Sequence, residues 1–148
     1  MKRTLFTVLL SLLIISACRR SSTASGDILG SWKLIEVYDK NTATTSYPPA
    51  GSTTDVVLTF LNGNSFAGHT LRNTLTGGAF TQNGDKIIFG SFAMTKIAED
   101  QWGESFLTVL YACLLQSTVP CAPSVVAMQG NIMKITTPLR YDITLEKL

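Results

Sequence analysis

The carboxyl-terminal stretch LRYDITLEKL (139–148) decides the fold class. Apolar residues alternate there with polar ones: Leu139, Tyr141, Ile143 and Leu145 with Arg140, Asp142, Thr144 and Glu146. Because successive side chains of a β-strand point to opposite faces, this period of two predicts a strand with one buried and one solvated face. Such strands are typical of antiparallel sheets, so we expect a mainly β protein.

Other strands are predicted upstream, and turn signals follow several of them. Strand-forming apolar segments occupy residues 32–38, 56–61, 86–89, 124–129 and 132–137. Asn62-Gly63 and Asn83-Gly84 are typical of two-residue hairpins whose central positions need positive φ, and Gly130-Asn131 predicts a third turn. These signals together indicate about seven or eight antiparallel strands.

One segment, at about residues 99–114, has helical rather than strand period. Its apolar residues recur at spacings of three and four: Trp102, Phe106, Val109, Leu110 and Cys113. Glu99 and Asp100 suit the positive end of the helix dipole, whereas Gly103 weakens the helix by roughly 1 kcal/mol. The predicted class is α+β, mainly β: an antiparallel sheet or partly open barrel of about seven or eight strands with one helix.

The amino-terminal residues have the pattern of a secretory signal. Lys2 and Arg3 precede an uncharged apolar run from Thr4 to Ala17. A helix of about 1.5 Å rise per residue over this run covers roughly 21 Å, which is too short for a hydrocarbon core of about 30 Å. We therefore expect a cleaved signal rather than a permanent membrane span.

The residues Ile15-Ser16-Ala17-Cys18 resemble the bacterial lipobox, in which an aliphatic residue and two small residues precede a cysteine that receives diacylglycerol. The alternative is an ordinary signal peptide cut nearby, with Cys18 incidental. The lipobox reading divides the chain into a signal peptide (1–17), a lipidated cysteine with a flexible tether (18–29) and a folded domain (30–148).

Lipidation at Cys18 would make the membrane the first partner. No acidic run follows Cys18 and Asp is absent from the next position, so by analogy with Gram-negative sorting we expect the outer membrane, facing the periplasm. Loss of residues 1–17 removes two of the 12 basic residues and none of the 10 acidic ones, leaving ten of each. A neutral mature chain argues against nucleic acid as a partner.

Seven short stretches carry a family resemblance: GSWKL (30–34), Phe66-Ala67-Gly68, Arg72-Asn73 with Gly77, GDKIIFG (84–90), Thr95-Lys96-Ile97, Glu104-Ser105-Phe106 and GNIMKI (130–135). They resemble motifs of the META domain family, whose bacterial members include heat-shock lipoproteins of the HslJ type. The resemblance covers about residues 30–145 and implies a β-rich envelope domain with a role in the stress response.

The sequence departs from this family at two positions. The family often carries a cysteine before the asparagine and another four residues after the threonine, and these places hold Arg72 and Glu99 here. We hypothesise an Arg72–Glu99 ion pair in place of that cross-link. The alternative is two unrelated surface charges, since exposed ion pairs contribute only about 0–1 kcal/mol.

With Cys18 assigned to lipid, Cys113 and Cys121 form an even remainder in an oxidising compartment, and we expect them to pair as a disulfide. The alternative is a buried Cys113 that acts as a small hydrophobe and a free Cys121 thiol in a loop. A bond across so short a loop stabilises the fold by about 2–3 kcal/mol in the chain-entropy model.

Residues that carry chemistry are few. His69 is the only histidine, no second ligand lies at metal-binding spacing, and no paired-carboxylate motif is present, so we expect no catalytic residue, metal or cofactor. The Thr- and Pro-rich segment 39–54, with Tyr47 as its only large aromatic residue, is either a solvated loop or a mobile lid or partner-binding edge.

Three functions fit these observations. The first is a non-enzymatic, membrane-anchored bacterial lipoprotein that acts through protein or envelope contacts, with an envelope protein as a further partner. The alternative is a lipocalin-like carrier of a small hydrophobic ligand, which would need an empty apolar cavity inside the barrel. The third is a hydrolase centred on His69, which would need an acid or nucleophile within about 3.2 Å.

Overall fold

The computed structural model describes residues 27–148, so the predicted signal peptide and Cys18 lie outside the described residues. The elements are β1 (Gly30–Asp39), β2 (Thr44–Ser46), β3 (Val57–Leu61), β4 (Ser65–His69), β5 (Thr74–Asn83), β6 (Lys86–Phe89), β7 (Ala93–Met94), α1 (Gln101–Leu110), β8 (Ser124–Gln129), β9 (Ile132–Thr136) and β10 (Tyr141–Lys147). In the part of the chain that the structure describes, no helix is long and apolar enough to cross a membrane.

Eight of the strands form a closed antiparallel barrel, in the order β1, β3, β4, β5, β6, β8, β9 and β10, and β10 pairs back onto β1. Strand β1 is long enough to pair with β3 and then β2 along one edge while β10 follows the other edge. The two additional strands are β2, on β1, and β7, on β5. For residues 27–148 the predicted mainly β class with a single helix is confirmed, and the barrel is closed.

All three predicted turns join adjacent strands. The β8–β9 loop is Gly130-Asn131 as predicted, whereas the β5–β6 loop is Gly84-Asp85, one residue later than the predicted Asn83-Gly84, because Asn83 pairs with Lys86. Gly84 and Gly130 both have φ 61°, as a hairpin with glycine at its first central position requires. The β3–β4 connection has three residues rather than two, because Leu61 pairs with Ser65 and Asn64 also has positive φ. The turn position was readable from sequence, but the loop length was not.

The interior of the barrel is filled by side chains. The largest side chains with under 2% exposure are Trp32, Phe60, Phe66, Phe106, Leu34, Leu58, Leu75, Ile87, Leu110, Met133, Ile135 and Ile143. Phe60 packs edge-on against Phe80 with ring centroids 5.2 Å apart. An eight-stranded barrel is just wide enough for side chains to fill its interior, which is the arrangement found here.

Glycines allow a close approach between β3, β4 and β5. A Cβ added at Gly68 would lie well within 3.0 Å of the Val57 carbonyl oxygen, which belongs to backbone and cannot swing away. A Cβ at Gly78 would lie 2.5 Å from the Phe66 ring, which covers that glycine. The β4–β5 register also shifts between Phe66 and Gly68, and Gly77 there has φ 62°, so Gly77 lies in a β-bulge.

The two ends of the barrel differ in what they carry. We call one the tether end, formed by Asp27–Gly30 and the β3–β4, β5–β6 and β8–β9 turns. We call the other the helix end, where the end of β1, the β4–β5 turn, the start of β10 and α1 meet. Ile28 is 5% exposed and its carbonyl accepts a 2.7 Å bond from Trp32 Nε1, so the folded domain begins before residue 30.

Candidate functional site

Asn73 connects the β4–β5 turn to the segment that leads into α1. Its side chain is buried and Nδ2 donates to the Ile97 carbonyl at 2.7 Å and to Glu99 Oε1. Its Oδ1 accepts from the Ile97 N–H at 2.8 Å and from Thr95 Oγ1 at 3.0 Å. An asparagine side chain has two donors and one oxygen with two lone pairs, so its full capacity is used to hold this segment in place.

Glu99 lies next to Asn73 at the amino terminus of α1. Its Oε1 accepts hydrogen bonds from Thr70 Oγ1 and Asn73 Nδ2. Its Oε2 is buried and has no hydrogen-bond partner among residues 27–148, and it lies directly beside Gly103 in the first helical turn. Asp100 caps the helix by accepting from the Gly103 N–H at 2.8 Å. Both carboxylates therefore face the positive end of the helix dipole.

The predicted ion pair between Arg72 and Glu99 is not formed. Arg72 Nη1 instead donates to the Ala98 carbonyl at 3.0 Å. The ion pairs within residues 27–148 are Lys33–Asp55, Lys40–Asp142 and Arg140–Asp39. The physical reason is that the neutral groups of Thr70 and Asn73 draw the Glu99 carboxylate inward, while Arg72 remains on the surface.

Replacing Gly103 by alanine is expected to destabilise the wild-type protein by about 1–3 kcal/mol, because the new methyl group would meet the Glu99 carboxylate well inside 3.0 Å. In a Glu99→Ala background the same change is expected to stabilise by about 0.5–1 kcal/mol, since helix propensity then dominates. Denaturant unfolding of the four proteins of this cycle measures both effects. The same sign in both backgrounds would contradict the contact.

His69 lies in β4, half-buried, and its Nδ1 is 3.4 Å from the Thr70 carbonyl oxygen. Within residues 27–148 this is the one hydrogen-bond contact of the imidazole ring, and no acid or nucleophile lies within hydrogen-bonding reach of the ring. The same part of the chain contains no group of three or more His, Cys, Asp or Glu side chains that could hold a metal ion.

Cys113 and Cys121 are brought together as a disulfide after the end of α1. The enclosed loop is also held by Gln116, whose Nε2 donates to the Ala112 and Ala122 carbonyls at 2.9 and 3.0 Å. Its Oε1 accepts from the Ala122 N–H at 2.7 Å. These contacts order the connection between the helix and β8.

A groove at the helix end is the best candidate for a binding site. It comprises an inner cavity of about 210 Å³, lined by Val37, Asp39, Thr44, Ser46, Tyr47, Pro49, Gln101, Trp102, Ser105 and Tyr141. A second, more open cavity shares Gln101 and Tyr141 with it and is also lined by Glu104, Thr108 and Arg140. We call the two together the helix-end groove. A different cavity, at the tether end, is lined partly by Asp27–Leu29, where the described chain begins.

Two of the three charged residues of the helix-end groove, Asp39 and Arg140, are paired with each other. Arg140 Nε donates to both carboxylate oxygens of Asp39, at 2.9 and 3.0 Å, and Nη2 adds a third bond. These hydrogen bonds lower the pKa of Asp39 from 3.8 to about 2, although burial acts in the opposite direction, and the Asn41 N–H contributes a further bond at 2.9 Å. Asp39 in turn raises the pKa of Arg140.

The Asp39–Arg140 pair is expected to make stability depend on acidity between about pH 4 and pH 2. A lowered carboxyl pKa stabilises the folded state above the unfolded-state value of 3.8, and this contribution is lost as the pH falls toward 2. The melting temperature of the wild type should therefore fall more steeply over this range than that of Asp39→Asn. Parallel melting curves from pH 6 to pH 2 would contradict this expectation.

Comparisons with known proteins support the fold. No family model and no curated protein matches the chain. Among solved structures, a protein from Burkholderia xenovorans is similar with a TM-score of 0.57 and 18% identity, over 80% of this chain and 81% of that one. A DUF4847 family protein from Bacteroides vulgatus is similar with a TM-score of 0.56 and 12% identity, over 80% and 92% of the respective chains. At these identities the likeness shows a shared fold alone.

The sequence left open whether the segment 39–54, with Tyr47, is a solvated loop, a mobile lid or a partner-binding edge. In the structure Tyr47 lies on the rim of the groove with 66% exposure. Asp39, Gln101 and Tyr141 were not recognised as neighbours, because they come from β1, α1 and β10. No local motif links residues brought together only by closure of the barrel.

Proposed function

We propose that this chain is a membrane-anchored bacterial lipoprotein whose barrel domain is non-catalytic and acts through contacts with protein or other envelope components. In this proposal Cys18 carries the lipid and the domain resides at the outer membrane, facing the periplasm. The lipobox-like residues before Cys18 support the anchor. The resemblance to META domains supports an envelope or stress-related role.

The observation that carries the proposal is the position of the groove relative to the tether. The described chain begins at Asp27, at the tether end, and the helix-end groove lies at the opposite end of the barrel. Eight residues lie between Cys18 and Asp27, so nine Cα–Cα steps join them. A flexible chain of that length has an r.m.s. span of about 16 Å and reaches at most about 30 Å. A lipidated Cys18 would therefore keep the tether end near the bilayer and leave the groove directed away from it.

Site-specific photo-crosslinking in intact cells tests this arrangement. A photoreactive amino acid at Leu61, which is 44% exposed at the tether end, is expected to capture phospholipid. The same amino acid at Tyr47, on the rim of the groove, should capture envelope components other than lipid. In Cys18→Ser the lipid adducts at Leu61 should disappear. Lipid capture at Tyr47 with none at Leu61 would reverse the proposed orientation.

A lipocalin-like carrier of a small hydrophobic ligand is the second candidate, and a closed barrel is compatible with it. A carrier of this kind needs interior space, whereas the interior here is occupied by aromatic and aliphatic side chains. The packed core therefore favours the first candidate. The carrier would be favoured instead by saturable binding of a fluorescent fatty-acid analogue that is abolished when interior side chains of the barrel are replaced by larger ones.

A further inference from the structure

We propose that the helix-end groove binds a neutral carbohydrate chain. This inference rests on the proposed function, since it names the class of ligand for the groove that faces away from the bilayer. Four properties of the groove support it: its two cavities with shared lining residues, its aromatic side chains, its unused hydrogen-bonding groups and the pairing of Asp39 with Arg140.

The helix-end groove consists of two cavities whose linings share Gln101 and Tyr141. The inner cavity, of about 210 Å³, is smaller than the roughly 300–1,000 Å³ of drug-sized ligand pockets. The inner cavity therefore has room for one compact ring, and the more open cavity that shares Gln101 and Tyr141 has room for a further unit.

Aromatic side chains line the groove at different depths. Trp102 is 6% exposed at its base, Tyr141 is half-buried, and Tyr47 is 66% exposed at its rim. A pyranose ring presents an apolar face of C–H groups that packs on an aromatic ring, while its hydroxyls point outward. Tyrosine and tryptophan suit such a ligand because each combines an apolar surface with a polar atom.

Several polar groups in the groove have unused hydrogen-bonding capacity. The side chains of Ser46, Tyr47 and Gln101 form no hydrogen bond with any residue in the range 27–148, and the same is true of the Trp102 indole N–H. The Gln101 amide alone offers two donors and an acceptor. A ligand rich in hydroxyl groups can pair with these donors and with these acceptors, because each hydroxyl both donates and accepts hydrogen bonds.

The charge of the groove favours a neutral ligand. Asp39 and Arg140 neutralise each other through three hydrogen bonds, so neither presents a free charge. Glu104 is the remaining charged residue of the lining, and it lies in the outer cavity. An anionic ligand would meet this carboxylate without an unpaired basic residue to offset it. A cationic ligand would have only one carboxylate to pair with, that of Glu104 in the outer cavity, because the rest of the groove is neutral overall.

Titration calorimetry of the acylated full chain in detergent micelles tests the inference. The probes are neutral tri- and tetrasaccharides of glucose and of N-acetylglucosamine, a uronic-acid trisaccharide of similar length, and an unrelated uncharged peptide. We expect saturable binding of at least one neutral saccharide and weaker binding of the uronic-acid trisaccharide. Tyr47→Ala and Gln101→Ala should each weaken binding by roughly tenfold, which corresponds to about 1.4 kcal/mol.

Two further variants separate binding from folding. Tyr47→Phe keeps the ring and should stay within about threefold of wild-type affinity if stacking dominates. Tyr38→Ala, on β1 but outside the groove lining, is the matched control and should bind as the wild type does. Gln101 is exposed at the start of α1, so Gln101→Ala remains informative even if a Tyr47 variant misfolds.

The inference is overturned if no neutral saccharide binds at millimolar concentration, if the peptide or the uronic-acid trisaccharide binds preferentially, or if Tyr47→Ala and Gln101→Ala bind as the wild type does. These results are distinct from failure of the proposed function. Saccharide binding is measured in micelles without reference to location, whereas the anchor and its orientation are measured by fractionation and crosslinking in cells.

Discussion

Cys18→Ser is expected to move the protein from the membrane fraction into the soluble periplasmic fraction. Each buried CH₂ group of an acyl chain contributes about 0.8 kcal/mol to membrane affinity, and stable anchoring requires two chains or an equivalent second signal. Loss of a multiply acylated cysteine removes that entire contribution. Fractionation of cells, followed by mass spectrometry of the mature amino terminus, measures the result.

The matched control for Cys18→Ser is the pair of substitutions Arg19→Ala and Arg20→Ala. Each arginine contributes at most about 1 kcal/mol near anionic lipid, so this variant should remain on the membrane. Because an uncleaved precursor would also be retained, the fractions must contain the mature form. A mature Cys18→Ser protein that stays on the membrane, or a wild type with an intact, unacylated amino terminus, would refute lipid anchoring.

Asn73→Ala is expected to lower the free energy of unfolding by about 3–5 kcal/mol. The substitution removes four hydrogen bonds, leaves the Ile97 N–H and carbonyl without their side-chain partner, and leaves the Glu99 carboxylate with Thr70 alone. Individual hydrogen bonds contribute about 0.5–1.5 kcal/mol, and stranding a buried partner costs about 1–3 kcal/mol. Chemical denaturation monitored by tryptophan fluorescence measures the loss.

Two substitutions complete this experiment. Asn131→Ala removes a single exposed bond to Glu146 of 3.3 Å, so it should change stability by less than about 0.5 kcal/mol. Asn73→Asp keeps the size of the side chain but places a carboxylate beside Glu99, so it should also be strongly destabilising. If Asn73→Ala costs no more than Asn131→Ala, Asn73 is not the connection between the β4–β5 turn and α1.

Local patterns predicted individual elements well and their assembly less well. The alternation in 139–148 marked β10, because burial of one face of a strand is visible in residues two apart. The apolar spacing of Trp102, Phe106 and Leu110 marked α1, although the helix ends at Leu110 and not near residue 114. Beyond that point a turn and the disulfide loop continue the apolar composition without helical structure.

The features that sequence reasoning missed depend on contacts between distant segments. Closure of the barrel pairs Val37 with Ile143, and no local pattern specifies that partner. The prediction of an Arg72–Glu99 ion pair considered only the two charges. It did not include Thr70 and Asn73, the neutral groups that Glu99 contacts. Gly103 was expected only to weaken the helix, whereas its missing side chain makes room for the Glu99 carboxylate.

Closure of the barrel has a consequence for the membrane anchoring proposed above. Proteins held at high local density beside a bilayer meet one another continually, and a free strand edge under those conditions is a template for cross-strand aggregation. Here every barrel strand has a neighbour on each side. The two extra strands have only three and two residues, too few to propagate a foreign sheet. The architecture thus permits crowding without polymerisation.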